Sequence, residues 1–136
     1  MRCVSRIALQ VILCAALGTP ALAQEAAPPG PFKAVHLVNL KSTADEATLR
    51  AALADLNAVV SAAGFPDIKY RIFKVTGKQT GKHNYLWESS WPSGAVYDKV
   101  HADPAWDAAV KKHPGMRALL DDDVYNRYVE IATAKP

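Results

Sequence analysis

Cysteine is scarce in this chain of 136 residues: there are two, Cys3 and Cys14, and both lie near the N-terminus. The rest of the chain has no thiol for a disulfide framework, a catalytic thiolate, a cysteine-ligated zinc or an iron–sulfur cluster. Long apolar stretches are also lacking. The run from Ile7 to Leu17 is too short to be a comfortable membrane span.

The first 23 residues have the features of a secretory signal. Arg2 and Arg6 form a short basic start, the apolar run follows, and Ala21-Leu22-Ala23 fits the small-residue cleavage pattern before Gln24. We therefore expect residues 1–23 to be removed. The protein is then expected to be exported, to the periplasm or the medium, without a membrane anchor.

An excess of charge of either sign is lacking too. The chain has 16 Lys+Arg and 13 Asp+Glu, and without Arg2 and Arg6 of the predicted signal, 14 basic side chains remain against 13 acidic ones. A nearly neutral exported domain gives little reason to expect binding to nucleic acid or to an anionic membrane through its overall charge.

The remainder of the chain divides into a leader, one domain and a tail. Residues 24–31 are rich in proline and lack apolar periodicity, which predicts a flexible spacer. Residues 32–132 suffice for a single domain, and residues 133–136 are predicted to form a loose tail.

Periodicity within the domain predicts strands and helices in the order strand, helix, strand, strand, helix, strand. The first helix is predicted to begin with Thr43 as N-cap and Glu46 as its capping-box partner, and to end at Gly64. The other predicted elements are strands at Phe32–Lys41, Ile68–Thr76, Asn84–Trp91 and Val124–Ala132, a helical region at Ser93–Lys112 broken near Ala102-Asp103-Pro104, and a short helical turn at Met116–Leu120.

That order is the βαββαβ arrangement of the ferredoxin-like fold, an α+β fold with a four-stranded antiparallel sheet and two helices on one face. The other face of such a sheet is bare. Both faces of the strand at Phe32–Lys41 are substantially apolar, which predicts a central strand covered on both sides. The predicted strands together carry large residues on both faces, and Tyr85, Trp87 and Trp91 share one face opposite Leu86. We therefore predict a homodimer that buries the bare face.

The segments FKAVHLVNL, VYDKVHADPAWDAAVKK and VYNRYVEI resemble the dimeric α/β-barrel superfamily. That superfamily includes small stress-responsive proteins, cofactor-free monooxygenases, polyketide cyclases and haem-handling proteins. In its cyclase-like and stress-responsive members, one His on the first strand and one in a His-Pro-Ala-His segment face a pocket. His36 matches the first, whereas Asp103-Pro104-Ala105-Trp106 places Trp106 at the second. Because an indole cannot act as a general base, that acid–base pair does not carry over.

The resemblance implies that His36 lines a pocket and makes it the candidate catalytic residue. A buried histidine satisfied by a neighbouring polar group is the structural alternative. Further candidates for ligand contacts are polar or aromatic residues, and the tryptophans among them are often core or dimer contacts instead. These candidates are Tyr85, Trp87, Tyr97, Trp106 and Tyr128.

No metal site and no cofactor are predicted. A metal needs three or four converging ligands, whereas His101 and Asp103 supply two, and no histidine pair has the spacing that places two imidazoles on one helical face. Haem ligation by His36, His101 or His113 is implied only by analogy with the haem-handling members.

Three functions remain open at this point. The first is a homodimer that binds a small apolar or aromatic molecule in a cleft between helices and sheet. The second is a cofactor-independent monooxygenase or cyclase that uses His36 with a tyrosine. The third is haem binding. We favour the first, because Trp106 replaces the second imidazole that the cyclase chemistry needs.

Overall fold

The structure is a computed structural model, and it describes residues 26–77, 81–120 and 124–132. The predicted signal peptide and the predicted tail lie outside these ranges. The described elements, in chain order, are β1 (Phe32–Val38), α1 (Thr43–Ala62), β2 (Arg71–Lys74), β3 (Tyr85–Trp91), α2 (Gly94–His101), α3 (Pro104–Lys112), α4 (Pro114–Leu119) and β4 (Val124–Tyr128). No helix in these ranges is long and apolar enough to cross a membrane.

The four strands form one sheet in the order β2-β3-β1-β4, and every neighbouring pair is antiparallel. This order makes β1 a central strand, as the apolar character of both its faces predicted. All four helices pack on one face of the sheet. The predicted ferredoxin-like α+β architecture is confirmed.

The helix-covered face carries the large aromatic residues of β3. Tyr85, Trp87 and Trp91 are 8%, 4% and 2% exposed, and they pack into the core beneath the helices. The sequence predicted that these three residues share one face, opposite Leu86, and the alternating burial along β3 confirms it. Strand alternation shows which residues share a face, but it does not show which of two apolar faces the helices cover.

The uncovered face, which we call the open face, is apolar through other residues. Phe73, Val124 and Tyr128 are 44%, 40% and 50% exposed on it. Leu37 pairs with both Leu86 and Val124 across the centre of this face. The open face thus keeps a continuous apolar patch across all four strands.

Helix α1 is capped one residue earlier than predicted. The Ser42 hydroxyl accepts a hydrogen bond from the Asp45 backbone N–H at 3.1 Å, and the Asp45 carboxylate accepts one from the Ser42 N–H at 3.0 Å. The predicted pair of Thr43 and Glu46 is therefore wrong. The predicted end is confirmed: Gly64 has a φ of +94°, a left-handed conformation that glycine adopts without a Cβ clash.

The predicted break in the second helical region is confirmed. The Asp103 carboxylate accepts a hydrogen bond from the Ala105 N–H at 2.8 Å, and Pro104 occupies the first turn of α3. Proline suits that position because its missing N–H would have no partner inside the helix. Helix α2 therefore ends at His101, and α3 begins as a separate helix at Pro104.

Two predicted strands are too long because side-chain amides replace the sheet ladder at their ends. The Asn84 amide bonds both the N–H and the carbonyl of Leu40, at 2.9 and 2.8 Å. The Asn57 amide does the same for Tyr70, at 2.6 and 3.1 Å. Leu40 therefore lies outside β1, and Tyr70 lies outside β2. The last strand ends at Tyr128, four residues before its predicted end.

Residues 26–31, predicted to be a spacer, lie against the domain in the structure. The carbonyl of Pro28 accepts a hydrogen bond from the Gly94 N–H at 2.7 Å, at the start of α2. Ala27 packs against the cluster that contains Phe32 and Trp91. This part of the leader is thus in contact with the core rather than apart from it.

Replacing Ser42 with alanine is expected to lower the free energy of unfolding by about 1 kcal/mol, because an N-terminal N–H of α1 loses its acceptor. Thr43→Ala is the matched control, since Thr43 is exposed within the first turn; we expect a change within about 0.5 kcal/mol. Urea unfolding followed by circular dichroism measures both. Equal losses in the two variants would contradict the assignment of Ser42 as the cap.

Candidate functional site

A cavity of about 260 Å³ lies between the helix-covered face of the sheet and the helices. We call it the aromatic cavity, because its walls combine aliphatic side chains with aromatic and imidazole rings. Leu56, Val110, Met116 and Leu120 contribute aliphatic surface from the helical side. The rings in its walls are those of His36, Tyr70, Trp87, Tyr97, His101 and Trp106.

Four of the six residues predicted from the sequence line this cavity, and two do not. Tyr85 faces the helices, but its hydroxyl donates to the Glu46 carboxylate at 2.6 Å. Tyr128 lies on the open face, where it pairs in register with Lys33. Residues that line the cavity are His36, Trp87, Tyr97 and Trp106.

His36 lies at the centre of the sheet, between two aromatic neighbours. The register pairs it with Trp87 on β3 and with Tyr125 on β4. Its ring centroid is 4.4 Å from that of Trp87 and 4.6 Å from that of Tyr125. The half-buried imidazole is therefore held in the sheet-side wall of the cavity.

His101 is the last residue of α2, and the hydrogen bonds at its two ring nitrogens define its tautomer. Its Nδ1 lies 2.7 Å from the Tyr97 carbonyl oxygen, which can only accept, so Nδ1 carries the proton. Its Nε2 lies 3.3 Å from the Tyr70 hydroxyl and accepts from it. Burial lowers the pKa of His101 below its usual value, so the neutral ring is favoured.

Tyr70 contributes the phenol of this pair from the segment just before β2. The Asn57 side chain of α1 holds both backbone polar groups of Tyr70, which positions its ring against the helices. Burial raises the pKa of Tyr70 well above that of a free tyrosine, so the hydroxyl keeps its proton. The Tyr70 and Trp106 ring centroids are 5.6 Å apart.

Sequence reasoning missed Tyr70 and did not place His101 in a ligand pocket. Tyr70 is positioned by Asn57, 13 residues earlier, and nothing in the strand pattern signals that contact. His101 did carry a signal, since it immediately precedes the predicted break. A helix that ends there can direct its last side chain toward the sheet.

A second polar cluster adjoins the aromatic cavity at β4. The Arg127 Nε donates to the Tyr125 hydroxyl at 2.9 Å, and the Tyr125 hydroxyl donates to that of Tyr97 at 3.4 Å. The Arg127 guanidinium lies over the Tyr97 ring, 5.2 Å from its centroid. Burial and the Tyr125 hydroxyl raise the pKa of Tyr97, so this phenol is also neutral.

One donor in the cavity wall is unsatisfied. Within the part of the chain that the structure describes, Trp87 Nε1 is buried without a hydrogen-bond partner. Such a donor costs stability unless a water or a ligand satisfies it. In the same ranges, no three His, Cys, Asp or Glu side chains are grouped as metal ligands would be.

Solved structures share this architecture at low sequence identity. A protein of unknown function from Rhodopseudomonas palustris is 19% identical with a TM-score of 0.56, over 79% of this chain and 87% of that chain. Hydroxynitrile lyase from Passiflora edulis is 16% identical with a TM-score of 0.57, over 79% and 100%. A dimeric ferredoxin-like protein of unknown function from Thermobifida fusca is 14% identical with a TM-score of 0.51, over 75% and 92%.

This chain has the ferredoxin-like fold. No protein-family profile matches its sequence, and no curated protein matches it either. At such identities the structural similarity concerns the fold alone, and the same fold supports unrelated activities. What the cavity does must therefore be argued from its own residues.

The cavity contains a second imidazole, although Trp106 occupies the position at which the resemblance expected one. His101, five positions earlier, lines the same cavity, and its ring centroid is 4.1 Å from that of Trp106. The break between α2 and α3 brings both side chains to the cavity. The objection that the site lacks a second proton-accepting group is thereby removed.

Proposed function

We propose that the protein binds a small, mainly aromatic molecule in the aromatic cavity. The observation that carries the proposal is a half-open cavity of about 260 Å³ whose walls are aromatic rings and aliphatic side chains with a few polar groups among them. Ligand sites are typically apolar cavities with a few convergent polar groups. A volume of this size suits a molecule of one or two rings.

The polar groups indicate what that molecule would carry. Trp87 belongs to the cavity wall and its N–H is buried without a partner, so a ligand that reached this N–H would have to present an acceptor such as a carbonyl or hydroxyl oxygen. On the helical side, the Tyr70 hydroxyl can accept a further hydrogen bond while it donates to His101. A ligand with a planar ring and at least one oxygen substituent satisfies both sides. The export expected from residues 1–23 belongs to this proposal.

A second candidate function is catalysis of proton transfer, and the contact between Tyr70 and His101 favours it. A neutral imidazole with a free lone pair is a competent proton acceptor. A ligand proton could pass to the Tyr70 oxygen while the Tyr70 proton passes to His101 Nε2. His36, the catalytic candidate from the sequence, lines the same cavity and could return a proton from the sheet side. No observation among the described residues favours haem.

The assembly we propose is a homodimer through the open face. Its exposed apolar residues lie across all four strands, and a second copy would remove them from water. The solved structure from Thermobifida fusca is described as dimeric, which supports this arrangement for the fold. The ion pair of Lys33 and Glu88, at 3.1 Å, borders the apolar patch.

Ligand binding is expected to change the intrinsic fluorescence, because all three tryptophans lie in or beside the cavity walls. Titration with 2-naphthol should be saturable. Ala34→Val, which adds two methyl groups to the cavity wall, should weaken binding about tenfold or more. Val35→Ile on the open face is the control and should leave the affinity unchanged. Absence of saturable binding would contradict the proposal.

The catalytic candidate predicts that Tyr70→Phe slows proton exchange at the acidic C–H of 2-tetralone by about 100-fold, with little change in affinity. Deuterium incorporation measured by NMR gives the rate, and Tyr128→Phe on the open face is the control. Because the pKa of His101 is lowered from 6.5, the wild-type rate should persist below pH 6.5 and fall only once the ring is protonated. Equal rates in wild type and Tyr70→Phe would exclude this role.

The dimer is expected to dissociate when Phe73 is replaced by glutamate, since a charge would then be buried in the interface. Phe73 is 44% exposed in the protomer, so the fold itself should tolerate the change. Ala51→Glu, on the exposed side of α1, is the control. Sedimentation velocity at micromolar concentration should give a dimer for wild type and control and a monomer for Phe73→Glu. A monomeric wild type would overturn the proposal.

A further inference from the structure

The segment that precedes β1 is held against α2 by a contact that only glycine permits. We call residues 26–31 the N-terminal strap. The Gly94 N–H, at the start of α2, donates to the Pro28 carbonyl at 2.7 Å. A Cβ on Gly94 would lie 2.6 Å from that oxygen and 2.7 Å from the Ala27 carbonyl oxygen. Any other residue at position 94 would therefore push the strap away.

The strap borders a second, half-open cavity of about 470 Å³, which we call the outer compartment. Ala26 and Ala27 of the strap form one side of it, and Arg127 of β4 lies on another. Tyr97 and His101 line both the outer compartment and the aromatic cavity. Their rings stack with centroids 3.8 Å apart and stand between the two spaces.

The two spaces differ in chemistry. The aromatic cavity has mainly rings and aliphatic side chains, with the exposed Arg117 as a charged lining residue on the helical side, whereas the outer compartment contains the Arg127 guanidinium and the Asp98 carboxylate. Asp98 is exposed, and Arg127 is partly buried against Tyr97 and Tyr125. The hydrogen bond from Arg127 Nε to Tyr125 fixes the orientation of the guanidinium.

We propose that the two spaces form one ligand site, that the N-terminal strap is its outer wall, and that its ligand is an elongated aromatic carboxylate. The ring system lies in the aromatic cavity, and the carboxylate passes the stacked Tyr97 and His101 rings to reach Arg127. The inference rests on the proposed ligand-binding function, and it adds the substrate class and a role for a segment outside the sheet and helices.

The experiment compares a short and a long probe by tryptophan fluorescence. The short probe is 2-naphthol, and the long one is biphenyl-4-carboxylate, with biphenyl-4-carboxamide as its neutral analogue. Gly94→Ala should release the strap and weaken binding of the long acid about tenfold, while the affinity for 2-naphthol changes less than twofold. Gly30→Ala is the matched control within the strap, because a Cβ there meets nothing within 4 Å.

Two further variants test the role of the strap and the role of the Arg127 charge separately. Ala27→Leu keeps the contact at Gly94 but fills part of the outer compartment, so it should weaken the long probes and spare 2-naphthol. Arg127→Gln should reduce the affinity for the long acid to that of the amide and leave the amide unchanged. Hydrogen exchange at the amide of residue 94, whose N–H donates to the Pro28 carbonyl, should rise in Gly94→Ala and stay unchanged in Gly30→Ala.

The outcomes separate this inference from the function on which it rests. If 2-naphthol does not bind the wild type, the proposed function fails. If 2-naphthol binds but Gly94→Ala and Ala27→Leu affect short and long probes equally, the strap is not a wall of the site. If the long acid and its amide bind wild type equally, the carboxylate assignment is wrong. Should Gly94→Ala fail to fold, Ala27→Leu alone decides the role of the strap.

Discussion

The antiparallel register of β1 between β3 and β4 determines where every sheet residue of the site lies. It pairs His36 with Trp87 on one side and with Tyr125 on the other, which puts three rings in one row beneath the helices. A shift of one residue would turn His36 to the open face and expose Leu37 to the helices. The burial of Phe32 and Ala34 under the helices holds the register in place.

The helices supply aliphatic surface to the site along their length, but two of the rings that they contribute, those of His101 and Trp106, come from helix ends. His101 closes α2, and Trp106 lies in the first turns of α3 after the break at Pro104. In an uninterrupted helix, these two residues would be about 1.4 turns apart and their side chains about 140° apart around the axis, on different faces. The break instead allows both rings to reach the same cavity. The imidazole that the resemblance expected at position 106 is therefore supplied by His101.

The sequence predicted the order of the elements, the central place of β1, the end of α1 and the break near Pro104, because alternation, apolar periodicity, glycine and proline are local signals. It could not identify the face of β3 that the helices cover, since both faces carry apolar residues. It also could not locate Tyr70, whose position depends on the amide of Asn57 in another element. The choice between Ser42 and Thr43 as cap failed because both residues suit the role and each has an acidic partner three positions later.

The walls of the aromatic cavity are also part of the hydrophobic core. Trp87 and Trp91 are almost completely buried, and Trp106 packs against the same clusters. A molecule bound there would fill an empty space within the core. Because it would bind the folded state and not the unfolded chain, its binding free energy would add to the stability of the folded state. Cells or conditions that supply the ligand would then contain more of the folded protein, and the abundance of the protein would itself report on the supply of that ligand.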